Sequence, residues 1–542
     1  MPRPAAPVPG AELTHRQVLV VLSGLLLGMF LAALDQTVVS TAMRTIADQL
    51  EGQTAQAWVT TSYLVTSTIT VPLYGKLSDM YGRRPFYLFA IAVFVVGSVL
   101  CGTAQSIYEL AAWRAVQGLG AGGLMSLAFA IVGDLVPPRE RGRYQAYFMA
   151  VFATSSVLGP LVGGAFAGQP ELLGIDGWRW VFLVNVPIGG VALLVVARNL
   201  HLPRPRSDAR VDFFGAALLT STVVPLLLVA EKGREWGWAS LLSASLTLLS
   251  AASLVGFVLW ERRMGEAAIL PLRIFRNRVL AVSTAAALLI GSAMFGGFVV
   301  LPLYLQIVRG SSPTESGLQL VPLMVGILLT SALVGRVMRR TGRYKVFPVT
   351  GTAVLFVAMV LFTRLGVDTP MWQVLGPMVV LSAGLGLCMQ TLVISVQNAL
   401  PPRDMGIATS TVTFFRSMGG TFGAAASLAV LFGSLAANIQ ARLVEGGLPA
   451  SVVERFSSAT ALDDSTVIDT LPDAVRLAVL QGFSDSVQSV FTVVAVLLVP
   501  AFVLTLFLKE EPLRTQGGIA AAQADADTEA ALRTTKSETA VL

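Results

Sequence analysis

With 542 residues, 54% hydrophobic and only 13% charged, the chain is far too apolar for a soluble protein, in which about a quarter of residues are charged. Its mean hydropathy of +0.71 and its many apolar windows of bilayer-spanning length predict an all-α polytopic membrane protein. A net charge of +6 then reflects basic loops at one membrane face, and nucleic-acid binding is excluded as the reading of that charge.

Residues 1–17 form an N-terminal tail without the pattern of a cleaved signal, so the first apolar run reads as a retained helix. Fourteen spans are predicted, at 18–42, 56–74, 87–104, 110–132, 144–167, 179–197, 212–230, 240–260, 280–307, 316–337, 345–363, 373–397, 406–434 and 487–508. The first six make an N-terminal bundle, 18–200. Residues 201–278 supply a basic, Pro-rich linker ("HLPRPRSDAR") and two inserted helices, and 279–508 a second six-helix bundle. The long outer loop 437–486 contains "LPDAVRLAVLQGF" at helical spacing, which predicts that the last two spans extend beyond the bilayer. Residues 509–542 read as a disordered tail. An even number of spans puts both termini on one side. That side carries 27 Lys and Arg against 9 on the other, which makes it cytoplasmic in a cell membrane. Trp58, Trp113, Trp178, Trp180, Trp236, Trp238 and Trp372 fall at outer span ends and Trp260 at an inner one, as an aromatic belt requires.

The chain repeats itself. "PPRERG" at 137–142 returns as "PPRDMG" at 401–406, 264 residues on, and "GKLSDMYGRRP" at 75–85 has an echo in "GRVMRRTGRYK" at 335–345, 260 residues on. Two loop motifs at nearly one offset indicate duplication. The offset spans eight helices rather than six, so spans 7 and 8 lie between the halves. Parallel repeats with a binding site at their interface are one plan of secondary transporters.

Nothing catalytic is visible. There is no phosphate-cradling glycine loop and no Cys/His cluster for a metal or cofactor. Cys101 and Cys388 lie in spans, and His15 and His201 outside them. Energy must come from an ion gradient or from the substrate's own. Asp35 is the one acid well inside a span, where a carboxylate costs roughly 2.5–3.5 kcal/mol. It lies ~12 Å below the outer end of its span, and Arg114 ~6 Å below the outer end of span 4. These depths permit a direct or water-mediated pair that either couples protons or only fixes packing. In the 2–3 loop, Gly75, Asp79, Gly82, Arg83 and Arg84 suit a cytoplasmic latch. "GPLVGG" in span 5, with Gly159, Pro160, Gly163 and Gly164, suits a hinge or seal between closely packed helices of the two halves. Candidates for a substrate cavity are Gln117, Phe295, Tyr304, Gln390, Gln397 and Arg416, with Gly296, Gly297 and Pro302 able to break span 9. A wall of Phe and Met with few polar groups suits lipophilic, amphipathic compounds. Arg416 either meets an acidic substrate group or snorkels.

These segments resemble the major facilitator superfamily, and within it the fourteen-span drug/proton antiporter group. "LDQTVVSTA" is similar to that group's first-span motif, "GKLSDMYGRRP" to the superfamily's 2–3 loop signature, "RAVQGLGAGG" to the fourth-span motif, "GPLVGG" to the fifth-span antiporter motif and "WRWVFLVNVPIG" to the sixth-span signature. The resemblance covers residues 18–508 and implies a major facilitator fold in which two six-helix bundles rock about a midplane cavity. It further implies that Asp35 and Arg114 are the protonation pair, 75–84 the latch and 159–164 the antiporter hinge. "MRT" stands where the group's usual proline follows the first-span motif. Members that export dications carry further intramembrane acids, which this chain lacks, so neutral or monocationic compounds are implied. Three other readings stand beside proton-coupled export: a lipid or cell-envelope flippase, marked by 437–486; a non-transporting receptor or structural protein; and an importer, which "GPLVGG" disfavours.

Overall fold

The computed structural model describes residues 15–51, 55–200, 212–311, 313–401, 404–449, 453 and 471–514. Helices fill the described chain, apart from one small hairpin of β1 (Glu171–Leu172) and β2 (Ile175–Asp176). The first group comprises α1 (His15–Gln49), α2 (Gln56–Tyr81), α3 (Arg83–Thr103), α4 (Ile107–Leu135), α5 (Pro138–Ala167), α6 (Trp180–Leu183) and α7 (Asn185–Asn199). Then come α8 (Phe213–Trp236) and α9 (Leu241–Met264). The second group is α10 (Arg278–Leu303), α11 (Pro313–Gln319), α12 (Val321–Thr341), α13 (Val346–Phe362), α14 (Met371–Ala399), α15 (Met405–Glu445) and α16 (Asp473–Leu506). Every expected span coincides with helix. Among the described residues, twelve helices are long and apolar enough to cross a membrane. The Ser/Thr-rich α2 is outside that set, as is α13 with its 17 residues.

Local chemistry sets the breaks. Ser106, Ser240, Asp212 and Asn277 each accept a backbone N–H in the first turn of α4, α9, α8 and α10. Gly82 (φ 100°) and Gly342 (φ 70°) turn the chain after α2 and α12, at the 260-residue offset, in a region that only glycine enters at little cost. Span 6 is divided at Val184, because Pro187 cannot donate to the Leu183 carbonyl and crowds it. This starts α7 at Asn185. Span 9 was expected to break at Gly296, Gly297 or Pro302. In the structure α10 runs through Gly296 and Gly297, and only after Pro302 does it widen into a π-helical turn at Tyr304–Val308.

Each group packs chiefly on itself: α1 against α4, α5 and α7, α2 and α3 against α4, α10 against α14, α15 and α16, and α13 against α14 and α16. The groups meet along two seams, α2 on α15 and α5 on α12, with α4 and α5 also reaching α15 and α14. The inserted pair is a hairpin whose α8 packs on both α2 and α15, covering the first seam. The repeat is visible in packing. Thr37 Oγ1 donates to the Ser155 carbonyl at 3.0 Å, and Ser292 Oγ to the Gly419 carbonyl at 2.8 Å, with 155 and 419 at the 264-residue offset.

One expectation about the ends changes. Residues 509–514 were placed in a disordered tail. In the structure Tyr344 donates to the Lys509 carbonyl at 2.8 Å, and Asn398 donates to Pro512 O at 3.1 Å and accepts from Arg514 N at 2.9 Å, so the chain is pinned this far. The rest of the tail, the 201–211 linker and most of 450–470 lie outside the described residues. In the long outer loop, α15 runs on to Glu445 and α16 starts at Asp473, and Arg442 joins them through a bidentate bond to Asp485 at 2.7 and 3.0 Å.

Candidate functional site

Asp35 is fully buried, and so, nearly, is Arg114. They meet directly, Arg114 Nη1 to Asp35 Oδ2 at 2.5 Å. The other carboxylate oxygen accepts from Gln117 Nε2 and from Asn185 Nδ2, both at 2.9 Å. Those two amides also reach Ser98 Oγ, at 2.6 and 3.2 Å. Gln117 Oε1 takes a second bond from Arg114 Nη1 at 2.6 Å, and the guanidinium lies 4.0 Å from the ring centroid of Tyr63. Five helices contribute: α1, α2, α3, α4 and α7. Gly97 allows the assembly, since a Cβ there would enter the backbone of Gln117. A buried ion pair is tolerable only when its remaining donors and acceptors are met, as they largely are here. Chemically, the cluster is one carboxylate whose charge holds a cation and two amides. Adding a proton to Asp35 would release them, while Gln117 Oε1 remains as an acceptor for Arg114.

The sequence pointed to Asp35 and Arg114 and missed Ser98, Asn185 and Tyr63. Asn185 had a legible signal, an amide in the apolar "VFLVNVPIG"; Ser98 and Tyr63 had none. Gln117 was expected to line a cavity. It is instead fully enclosed, because both its polar ends are taken by the cluster.

A second set of polar groups fastens the two halves at the end of the bundle that carries the basic loops. Asp79 pairs with Arg83 at 2.5 Å and also accepts from Gly406 N and Ile407 N, at 3.1 and 2.8 Å, at the start of α15. An anionic side chain on a helix N-terminus is favourable both by hydrogen bonding and by the helix dipole. Arg83 also reaches Asp134 at 2.7 Å, while Arg84 stays within its own half, on Ala197 O at 2.5 Å. Gly75 is required by close approach: a Cβ there would overlap Ser410. On the other seam, Gly142 and Gly335 pack backbone against backbone. Sequence reasoning missed Arg141, which is buried and donates to Gly133 O at 2.5 Å, Val136 O at 2.7 Å and Gln397 Oε1 at 2.8 Å. Gln397, read as a cavity residue, is thereby a fastener, and its amide also donates to Phe129 O and Thr409 Oγ1.

The expected hinge is placed differently. Gly159 and Gly163 press on Thr37 and Val38 of α1, within one half and not between the halves, and Gly164 has open space beside it. The helix carries Pro160 without interruption. The repeat mate of Gly159 at the 264-residue offset is Gly423, which presses on Ser292 of α10. Of the remaining cavity candidates, Tyr304 is fully buried with its hydroxyl on Gly366 O at 2.8 Å, so it lines no open space. Phe295 packs on Gly420 and Phe298. Gln390 is buried with both amide atoms unpartnered, and Arg416 is half-buried and makes no ion pair among the described residues.

Among the described residues no group of acidic, His and Cys side chains could hold a metal, and both cysteines are free and buried. Residues 25–424 match the family model described as Major Facilitator Superfamily. The chain is 38% identical over 496 residues to an uncharacterized MFS-type transporter of Mycobacterium tuberculosis, covering 91% of this chain and 70% of that one. It is 32% identical over 503 residues to Multidrug resistance protein 3 of Bacillus subtilis, covering 91% and 96%. Among solved structures, the proton:xylose symporter XylE aligns with a TM-score of 0.60 at 15% identity, over 94% of this chain and 99% of that one, which speaks to the fold alone. A bacterial homolog of the lysosomal transporter Spinster aligns at 0.56 and 17% identity, over 91% and 98%.

Proposed function

We propose that this chain, which belongs to the major facilitator superfamily and is a membrane transporter rather than an enzyme, exports lipophilic or amphipathic compounds in exchange for protons. The observation that carries the reading is the buried Asp35 cluster. An acid sealed from water in an apolar helix bundle is costly unless it is used. Asp35 takes up a proton when the bundle is open to the outer side, and Arg114 and Asn185 then loosen from it. Once the outer side closes and the basic end opens, the proton is released and the pair re-forms. All fourteen helical segments cross the membrane, with the basic end in the cytoplasm and both termini there. The fastened basic end corresponds to the outward-facing state. Gly75, Asp79, Gly82 and Arg83 act as its latch, which Arg84 braces from within its own half. The Gly159–Gly164 stretch, with Pro160, lets α5 slide on α1, and Phe295, Gln390 and Arg416 face the substrate when the halves part. The multidrug relatives support lipophilic drugs as substrates.

The test is proton flux from proteoliposomes challenged with a panel of lipophilic compounds, for wild type and Asp35→Asn. Compound-triggered flux in wild type only is expected. Flux that persists in Asp35→Asn would remove Asp35 as the carrier.

The projecting end of α15 and α16, braced by Arg442 and Asp485, favours a second reading: transfer of a membrane lipid guided along that projection. Deleting the projecting segment would then stop lipid transfer and spare drug-driven flux.

A further inference from the structure

Gln390 of α14 and Arg416 of α15 belong neither to the Asp35 cluster nor to the fastened end. Gln390 is only 3% exposed, and its Nε2 and Oε1 are both unpartnered. Arg416 is half-buried and makes no hydrogen bond or ion pair among the described residues. Two registers put them at one depth. Gln397 Nε2 donates to Thr409 Oγ1 at 2.9 Å, which sets α14 against α15. Gln390 lies seven residues above Gln397 on one helix, and Arg416 seven above Thr409 on the other. Seven residues are nearly two turns, so each keeps the face of the residue below it and climbs ~10 Å. On α10, the contact of Ser283 Oγ with Ser395 Oγ at 3.1 Å sets Gln390 level with Leu288, and Gly291, less than a turn further along, packs on the Arg416 backbone.

Arg416 is ~16 Å from the start of α15, and Gln390 ~14 Å from the end of α14, near the middle of a hydrocarbon core ~30 Å thick. Snorkelling serves cations near helix ends, and the bonds of Gln397 to Arg141 and Thr409 lie between Arg416 and the basic end. The fold does not need these groups. At the 264-residue offset the first half has Phe152 and Ser126, and Ser126 Oγ donates within its own helix to Gly122 O at 2.7 Å. Conversely, Met378 and Leu381 stand where the first half has Arg114 and Gln117. The first half therefore holds a partnered carboxylate, and the second an arginine and an amide left without partners. We propose that Arg416 and Gln390 bind the carboxylate of the exported compound, so that the substrates are amphipathic organic acids. The inference rests on the export reading and narrows it, against the neutral or monocationic compounds that the family resemblance implies. The guanidinium fork takes both carboxylate oxygens, and Gln390 Nε2 donates a further bond. Apolar surface for the rest of the compound lies beside them: Phe415 and Met418, half-buried on α15, and Phe295, which packs on Gly420 one turn above Arg416. Exporting an anion while a proton enters moves both charges in the direction that an inside-negative potential favours.

The test is a fluorescence titration of the purified full-length protein in detergent with dansyl-undecanoic acid and with its methyl ester, at about pH 8, where the free carboxyl is ionised. Wild type should bind the acid about 10- to 150-fold more tightly than the ester, the range of a hydrogen-bonded charge. Arg416→Gln should bring the acid down to the affinity of the ester, whose binding reports that the variant is folded, and Arg416→Lys should keep part of the preference. Gln390→Leu should weaken acid binding about fivefold. Arg263→Gln, which removes a charge from an exposed position of α9, should leave the preference intact. Equal affinities for acid and ester in wild type would overturn the proposal, as would a preference that survives Arg416→Gln or that Arg263→Gln removes as well. No proton gradient enters the measurement, so its failure is distinct from a failure of proton coupling, which the flux assay reads.

Discussion

Replacing Gly142 by alanine tests whether the α5–α12 seam sets the conformational equilibrium. A Cβ at this position would be driven into the backbone of Gly335, and no rotamer change can relieve a backbone contact. Restoring ordinary carbon–carbon separation, about 3.5–4.0 Å, requires the basic ends of α5 and α12 to part by roughly 1 Å. Overpacking of this kind costs about 1–3 kcal/mol. The cost falls on the fastened state alone, because once the seam opens Gly142 has no partner there. The helix-propensity gain of alanine over glycine, up to about 1 kcal/mol, applies to both states and cancels between them. The ratio of fastened to open molecules should therefore fall about 5- to 150-fold. Spin labels at the basic ends of α5 and α12, read by pulsed electron resonance in nanodiscs, report that ratio as the weight of the short-distance population. Gly351→Ala is the control: its clash is with Leu387 and Cys388 of α14 inside one half, so it should lower stability without moving the distance distribution. An unchanged short-distance population in Gly142→Ala would refute the reasoning, because the close approach would then not limit closure.

Other outcomes follow from the same contacts. Asp35→Asn or Arg114→Gln alone should each cost about 3–5 kcal/mol by leaving the partner buried and unpaired, whereas the double variant should cost much less than their sum. Denaturant unfolding in detergent checks this, and additive losses would show that the two charges do not depend on each other. Arg141→Ala should weaken the fastened basic end by about 1–3 kcal/mol, since Gln397 Oε1, the one of its three acceptors that lies in the other half, loses a charged donor; faster thiol labelling of a cysteine placed beside Gln397 is the readout. Burial pushes the hydroxyl of Tyr344, in the turn after α12, up to about 12, so it stays protonated and keeps donating to the Lys509 carbonyl. An unfolded tyrosine ionises near pH 10, so the stability this bond contributes is fully present below that pH and is lost only as pH rises above it. Protease protection of residues 509–514 should be flat from about pH 6 to 9. Tyr344→Phe should lower it by about 0.5–1.5 kcal/mol.

Much of the architecture was legible because a bilayer leaves a chain few options. Backbone groups in hydrocarbon must bond within a helix, so runs of apolar residues translate directly into helices, and Asp35 stood out because charge is rare there. Glycine turns were legible for the same kind of reason. Gly82 and Gly342 occupy a backbone region that other residues enter only at a cost, and their shared offset marked the duplication. The motif glycines Gly159 and Gly163 were legible as close-packing positions, but their partner was not, since a small residue announces that a backbone comes near without saying whose.

What the sequence by itself determined is therefore local and one-dimensional: the helical segments, the sidedness of charge, the duplicated halves, and an acid and an arginine at compatible depths. What only the tertiary structure decided is which surfaces face each other. It placed Gln117 in the Asp35 cluster and Gln397 under Arg141, although both read from the sequence as polar residues on a cavity wall. It also brought Ser98 and Asn185 to Asp35 from α3 and α7. The physical reason is that hydropathy fixes how deep a residue lies in the membrane, while the rotation of each helix about its axis is set by packing against neighbours that are distant in the chain.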